Sequence, residues 1–387
     1  MGIVMYLLAF LIMSGFTLKL WKLCNYNSIS MIVVYVGTAV LFFLALLISK
    51  MGYVIDNSKS IGLKNITKTH EKTPEFLSIY KKLYNEKIKD LEKKRIIARI
   101  SKIVLDISFY FACIGYASDL NPIYAVDNVS FNNFYDKFQS SYALICIILA
   151  ISAFAYIFAK FVYTNSYKKE VIPSLIKLIN KNLEYSSKFE EKMKKDYGVA
   201  KFDDEPYDFY SEDDHIFGKL DDNIEINLSD IKVKRIGRSK SEEPVVVLFD
   251  GIFAYTKTKR EYENDIIVNA IGKNFDRQNL PYKVELDNRE FEHKFDVYCE
   301  NRVLPMRILT ADVMEDLLEF SKKLDIEYEM TFRKDTIYFR FYTGNMFEPR
   351  IKGNALDKEY IYSYYEILEF IINITKKIND VVEDTNL

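Results

Sequence analysis

The chain has 387 residues, enough for two or three folded units, and its 13 Gly and 8 Pro against 29 Tyr and 28 Phe exclude a low-complexity or disordered chain. A net charge of −2 excludes a global bias towards nucleic acid or acidic partners. The four cysteines, Cys24, Cys113, Cys146 and Cys299, form no CxxC pair, so neither a zinc site nor a disulfide framework is supported.

The first stretch, MGIVMYLLAFLIMSGFTLKLW, is apolar to Phe16 and extends to Trp21 if Lys19 snorkels. It lacks the basic start of a secretory leader, and Ser14-Gly15-Phe16 is a poor cleavage site. A second apolar run, Met31–Ile48, follows. Residues 1–50 therefore read as a transmembrane hairpin.

Residues 51–102 form a charged cytoplasmic segment. Thr73 before Pro74 predicts a capped helix start. The helix becomes strongly basic at Lys87, Lys89, Lys93, Lys94, Arg95, Arg99 and Lys102. It runs directly into the apolar segment Ile103–Ala117, interrupted only by Asp106 near Arg99 and Lys102. Clustered Lys and Arg beside a membrane helix attract anionic lipid headgroups, at about 1 kcal/mol per charge near the surface. These seven side chains are the expected headgroup contacts.

The stretch Tyr142–Tyr163 is apolar except for Ser152 and Lys160, and has the roughly 20 residues that cross a bilayer as a helix. It pairs with Ile103–Ala117 as a second hairpin over 103–164, with 118–141 as its loop. Lysines flank this unit on both sides, while the loop carries Asp119, Asp127 and Asp136 against Lys137. The positive-inside rule puts the flanks in the cytoplasm and the loop outside. The expectation is a multi-pass inner-membrane protein with four crossings and both termini cytoplasmic. Two crossings is the alternative.

Residues 165–212 read as a linker helix with Pro173 at an early turn, then an acidic loop from Phe202. From 213 to 387 the pattern is α+β: a cytoplasmic antiparallel-sheet domain with a few packed helices. Ile224, Ile226 and Leu228 alternate, and Val245–Leu248, Ile266–Val268 and Val284–Leu286 read as short strands. Asp287 with Glu290 has the form of a capping box, and Thr310 caps a helix with Val313, Met314, Leu317, Leu318 and Leu324 on its core face. Ile326 to Phe332, a polar turn Arg333–Asp335, and Ile337 to Phe341 predict a hairpin whose Glu327, Glu329 and Thr331 face water. The last helix, about Lys358–Glu383, carries a 3-4 apolar repeat with Thr375 at one step. It suits packing on its own sheet or a seam with another chain.

The order of these features resembles a bacterial membrane-protein family known as domain of unknown function 3137. The resemblance rests on the basic helix before a membrane pair, Val171-Ile172-Pro173, the strand Val247–Phe253, the run from Val284 through Tyr298, Arg307–Thr310 with Met314, and Met346–Pro349. It implies membrane residence and an intracellular α+β domain, and no activity. Ala311 departs from the Pro expected after the capping Thr, and residues 1–50 are additional to the usual layout.

Candidate chemistry is sparse. Asp213, Asp214 and His215, with His293, are the residues from which a metal-dependent hydrolase would be built. No HExxH spacing is present, and Gly237–Ser241 and Gly272-Lys273 lack the full phosphate-loop spacing. Cys299 lies in an apolar strand, where burial makes a thiol inert. The reading is a membrane-anchored binding, scaffold or sensor module rather than an enzyme, with no cofactor, no metal and no nucleic acid. Its partners are the bilayer, through anionic lipids, and a protein partner or second copy. A membrane-bound hydrolase is the alternative and a transport component the weaker one.

Overall fold

The computed structural model describes residues 72–119, 129–187, 191–203, 206–220, 224–238, 243–271 and 281–384. The expected hairpin over residues 1–50 lies outside them, as do residues 120–128 of the expected loop 118–141, whose remaining residues are helical. The chain divides into two compact units, one of 1–59 with 92–163 and one of 60–91 with 164–387.

The described part of the first unit is helical. Helix α1 (Pro74–Asp119) enters it at Glu92, and α2 (Val129–Ser166) lies in it up to Tyr163. Among the described residues one helix is long and apolar enough to cross a membrane, Ile147–Ile179. Phe154 is 72% exposed and Ile157 65%. On α1, Ile97, Ile100, Ile103 and Ile107 are exposed as well. Lys102 Nζ lies 2.7 Å from Asp106, so the one acid interrupting that apolar run is paired four residues back.

The second unit is a mixed α+β domain. A π-turn, Tyr167–Val171, continues α2 into α3 (Ile172–Ile179), whose first turn holds Pro173. Then follow β1 (Leu183–Ser186), α4 (Lys194–Ala200), β2 (Phe209–Lys219), β3 (Glu225–Ile236) and β4 (Val245–Ala270). After β5 (Lys283–Val284) come α5 (Arg289–Glu292), β6 (Phe295–Tyr298), α6 (Val303–Ile308), α7 (Ala311–Leu324), β7 (Tyr328–Phe341) and α8 (Lys358–Asp384). Residues 165–212, expected as linker and loop, thus supply two strands' worth of pairing and two helices to this unit.

All strand pairs are antiparallel, in the order β1-β2-β3-β4-β6-β5, with β7 also on β4. The expected hairpin over 326–341 is corrected. Both alternating halves belong to the single strand β7, which runs along β4 from Ile252 opposite Phe341 to Asn269 opposite Glu329. The polar interruption is absorbed as register shifts near Tyr262, with Lys334 in the left-handed region at φ 51°. Val245–Leu248 and Ile266–Val268 are likewise ends of one 26-residue strand.

Both sheet faces are covered. On one, Ile172, Leu175 and Ile176 of α3 meet Ile216, Leu228, Ile252 and Tyr364. Thr375 Oγ1 of α8 lies 3.0 Å from Thr256 Oγ1, so the last helix packs on its own sheet. The start of α1 joins this layer: Phe76 packs edge-on to Tyr362 at 4.8 Å, and the Tyr80 hydroxyl donates to the Leu356 carbonyl. On the other face, Met193, Tyr197 and Phe202 pack against Val233, Phe249, Phe253 and Tyr338. Glu329 and Thr331, expected in water, are buried there. Arg340, 1% exposed, pairs with Glu329 and Asp203 at 2.9 Å each and so neutralises that buried carboxylate.

Thr73, Asn288 and Thr310 cap their helices through side-chain oxygens. The cap of α5 is Asn288, one residue beyond the expected Asp287.

Candidate functional site

Among the described residues of the second unit, a cluster of charge lies where the π-turn meets β2. A π-turn inserts one residue into the helical repeat and swings the following side chains around the axis. Here it buries Tyr167, Lys168 and Val171. Lys168 Nζ lies 2.6 Å from Asp213, 2.7 Å from Asp214 and 2.7 Å from Glu348. An ammonium has three N–H donors, and all three are engaged by carboxylates.

Three separate pieces of chain supply those carboxylates. Between Asp213 and Ile216 the register of β2 on β3 slips, and Asp214 takes φ 55°. A bulge of this kind re-aims a side chain. It directs both Asp213 and Asp214 onto the ammonium, and it buries Asp214 completely. The Tyr185 hydroxyl of β1 donates to the other oxygen of Asp214.

Glu348 arrives on the loop after β7. That loop crosses β4 at Gly251, where an added Cβ would meet the Phe341 carbonyl oxygen at 2.1 Å and the Thr343 nitrogen at 2.8 Å. Only glycine permits this approach. Beyond it, the Gly344 N–H donates to the Asp250 carbonyl. The Met346 and Phe347 N–H groups then donate to Oδ2 of buried Asp230, at 2.9 and 3.1 Å.

Burial pushes the Asp214 carboxyl up to about 6, against the pull of Lys168 and the hydrogen bonds from Lys168 and Tyr185. Asp230 is pushed well above the usual carboxylate range by burial, which the two backbone N–H groups only partly oppose. Tyr185 is raised by burial and then by neighbouring Asp214.

Of the four residues considered for a hydrolase, the structure brings two together. Asp213 and Asp214 gather with Glu348, their ligand oxygens within 4.8 Å of one another. His215 is turned to Asn227, its Nε2 3.2 Å from Oδ1, and stacks on Phe217 at 5.0 Å. His293 lines an open depression beside β5 and α5 with Lys283, Arg289 and Glu292. The place where a cation would sit among the three carboxylates is taken by the Lys168 ammonium.

Sequence reasoning missed Lys168 and Glu348. Lys168 reads as one of the lysines flanking the second apolar unit, and Glu348, in the Met346–Pro349 segment, lies 180 positions away. The available signal was the pair Asp213-Asp214 inside what proves to be a strand.

Of the basic residues on α1, Lys89, Lys93 and Arg99 are exposed, while Lys87, Lys94 and Lys102 are half-buried. Arg95 is 5% exposed and paired with Glu92. Cys299 is buried, and burial pushes its thiol up.

Residues 247–380 match the model of the family described as "Protein of unknown function (DUF3137)". That span opens in β4 just before Gly251 and closes in α8, so it includes Glu348 and excludes Lys168, Asp213 and Asp214. No curated protein matches the chain. Among solved structures, the mycobacterial trehalose monomycolate transport factor A, TtfA, is similar at 10% identity, over 52% of this chain and 86% of that one. The TM-score is 0.31, too low to carry an argument about this chain.

Proposed function

We propose that this chain, whose residues 247–380 form a DUF3137 domain, is a membrane-anchored module that holds its α+β domain at the cytoplasmic face as a binding scaffold or sensor. One observation carries the reading. The long apolar helix continues without a break through the π-turn, and the first buried side chain to carry a charge after it, Lys168, is gripped by three carboxylates of the domain. An apolar helix with Phe154, Ile157 and Phe161 exposed suits a lipid surround.

The lysine-rich flanks of the apolar segments support a multi-pass arrangement in the inner membrane with both termini cytoplasmic. Exposed Lys89, Lys93 and Arg99 support contact with anionic headgroups. A reporter that is active only in the cytoplasm, fused after Leu387, tests the topology. Activity is expected; a reporter active only on the outside overturns the reading.

A second reading, a metal-dependent hydrolase, draws on the approach of Asp213, Asp214 and Glu348. It requires the Lys168 ammonium to give way to a cation. Titration of the protein with Mn²⁺ or Ca²⁺ decides it: saturable binding abolished by Glu348→Gln favours the hydrolase, and no binding removes it.

A further inference from the structure

After β7 the chain runs from Gly344 to Gly353 without helix or strand. Both ends are glycines in the left-handed region, at φ 66° and 85°. Other residues are strained there, so the segment is a strap with a conformationally free residue at each end. Between them Met346 and Phe347 are buried, and Phe347 stacks on Tyr364 at 5.1 Å. The backbone of the strap is held from two sides. The Tyr364 hydroxyl donates to the Met346 carbonyl and the Tyr360 hydroxyl to the Glu348 carbonyl. From below, Oδ2 of Asp230 accepts the Met346 and Phe347 N–H groups.

Asp230 is 5% exposed, and among the described residues its Oδ1 is buried without a hydrogen-bond partner. Its surroundings are mostly acidic. Asp214 and Asp250 act on it from β2 and β4, Asp213 is its register partner, and Glu348 is carried by the strap itself. Helix α8 presents Tyr360 and Tyr364. The cations nearby are engaged elsewhere: Lys168 by Asp213, Asp214 and Glu348, Lys232 by Asp250, and Arg350 over the Tyr360 ring at 4.2 Å.

A closed strap therefore suits a neutral carboxyl. Burial, with Asp214 and Asp250 adding to it, keeps the proton on Asp230 well above the usual carboxylate range. An open strap admits water, and there the carboxyl returns to about 3.9. The open form thus holds the ionised acid more readily, so rising pH favours opening and falling pH favours closure, by up to about tenfold per pH unit for one proton.

We infer that Asp230 is a proton-operated latch: protonated, it keeps the Gly344–Gly353 strap closed with Glu348 on Lys168, and on losing its proton it releases the strap. The device lies within the second unit and does not depend on membrane anchoring. Its input is proton concentration. Its output is exposure of Met346 and Phe347 and the freeing of Lys168 from Glu348.

The test is amide hydrogen exchange of the full chain in detergent micelles, from about pH 5 to about pH 9, corrected for the intrinsic rate. Protection of the Met346 and Phe347 amides should fall with rising pH while β3 and β4 stay protected. Asp230→Asn still offers an oxygen to both N–H groups and cannot ionise, so its strap should stay protected throughout. Asp214→Asn should keep the response. Strap protection that does not change with pH in the native chain overturns the inference. So does a response that survives Asp230→Asn or vanishes with Asp214→Asn, and so does a parallel loss of protection in β3 and β4.

Discussion

Lys168 Nζ stands 2.7 Å from Oδ2 of Asp214, a carboxylate with no exposed side-chain surface, held in place by a left-handed backbone at φ 55°. One belongs to the turn that follows the apolar helix and the other to a bulge in the sheet. Their contact ties the π-turn to the sheet within the second unit, and it determines what substitutions there should do.

Lys168→Met leaves three carboxylates facing each other, one of them fully buried. Removing one partner of a buried ion pair costs about 3–5 kcal/mol. Chemical denaturation of the second unit within the full chain should show a loss of that size. Asp213→Asn, at the rim with 38% of its side chain exposed, should cost about 1 kcal/mol or less.

The pH dependence follows from Asp214. Its carboxyl is raised to about 6 in the fold, while in the unfolded chain it returns to about 3.9. Between these values the folded state keeps a proton that the unfolded state has released. The stabilisation from Asp214 is therefore full below about pH 4 and lost as pH rises through about 6, on the order of 3 kcal/mol in all. Buried Asp230 acts in the same direction. Denaturation curves from about pH 5 to about pH 7 should show stability falling in the native chain and a shallower fall in Asp214→Asn. Parallel curves would contradict the assignment.

Much of the second unit was legible because its local signals agree with its packing. Thr73 and Thr310 cap as their positions imply, and Val313, Met314, Leu317 and Leu318 line the buried side of α7. The last helix ends within a residue of expectation. What failed was long range. A polar interruption reads the same in a hairpin turn and in a bulge, and only the partner strand β4 decides that β7 runs straight through. Glu329 looked solvated because Asp203 and Tyr197, which meet its partner Arg340, come from more than a hundred positions away. The site was hidden for the same reason. Asp213 and Asp214 look like a solvated acidic run until a bulge turns them onto a lysine brought in by a π-turn.

Gly251→Ala should be costly despite its size. The new methyl would overlap the Phe341 carbonyl oxygen and push away the loop that carries Glu348. Overpacking costs about 1–3 kcal/mol, and a midpoint shift of that size is expected on thermal or chemical denaturation. A neutral effect would show that the loop does not need this crossing.

The cap of α7 offers a calibrating case. Thr310→Ala removes the acceptor for the Val313 N–H and should cost about 1 kcal/mol, without altering the pH dependence assigned to Asp214. A double substitution with Asp214→Asn should be additive, since the two residues share no partner.

The most direct test of membrane anchoring is alkaline carbonate extraction of membranes containing the full chain, followed by flotation. The native chain should stay with the lipid through the wash, and so should Lys168→Met, because the apolar helix rather than the grip provides the anchor. Phe154→Lys with Phe158→Lys, both within the exposed apolar surface, should weaken that retention. Release of the native chain into the wash, with the bilayer intact, would contradict the account.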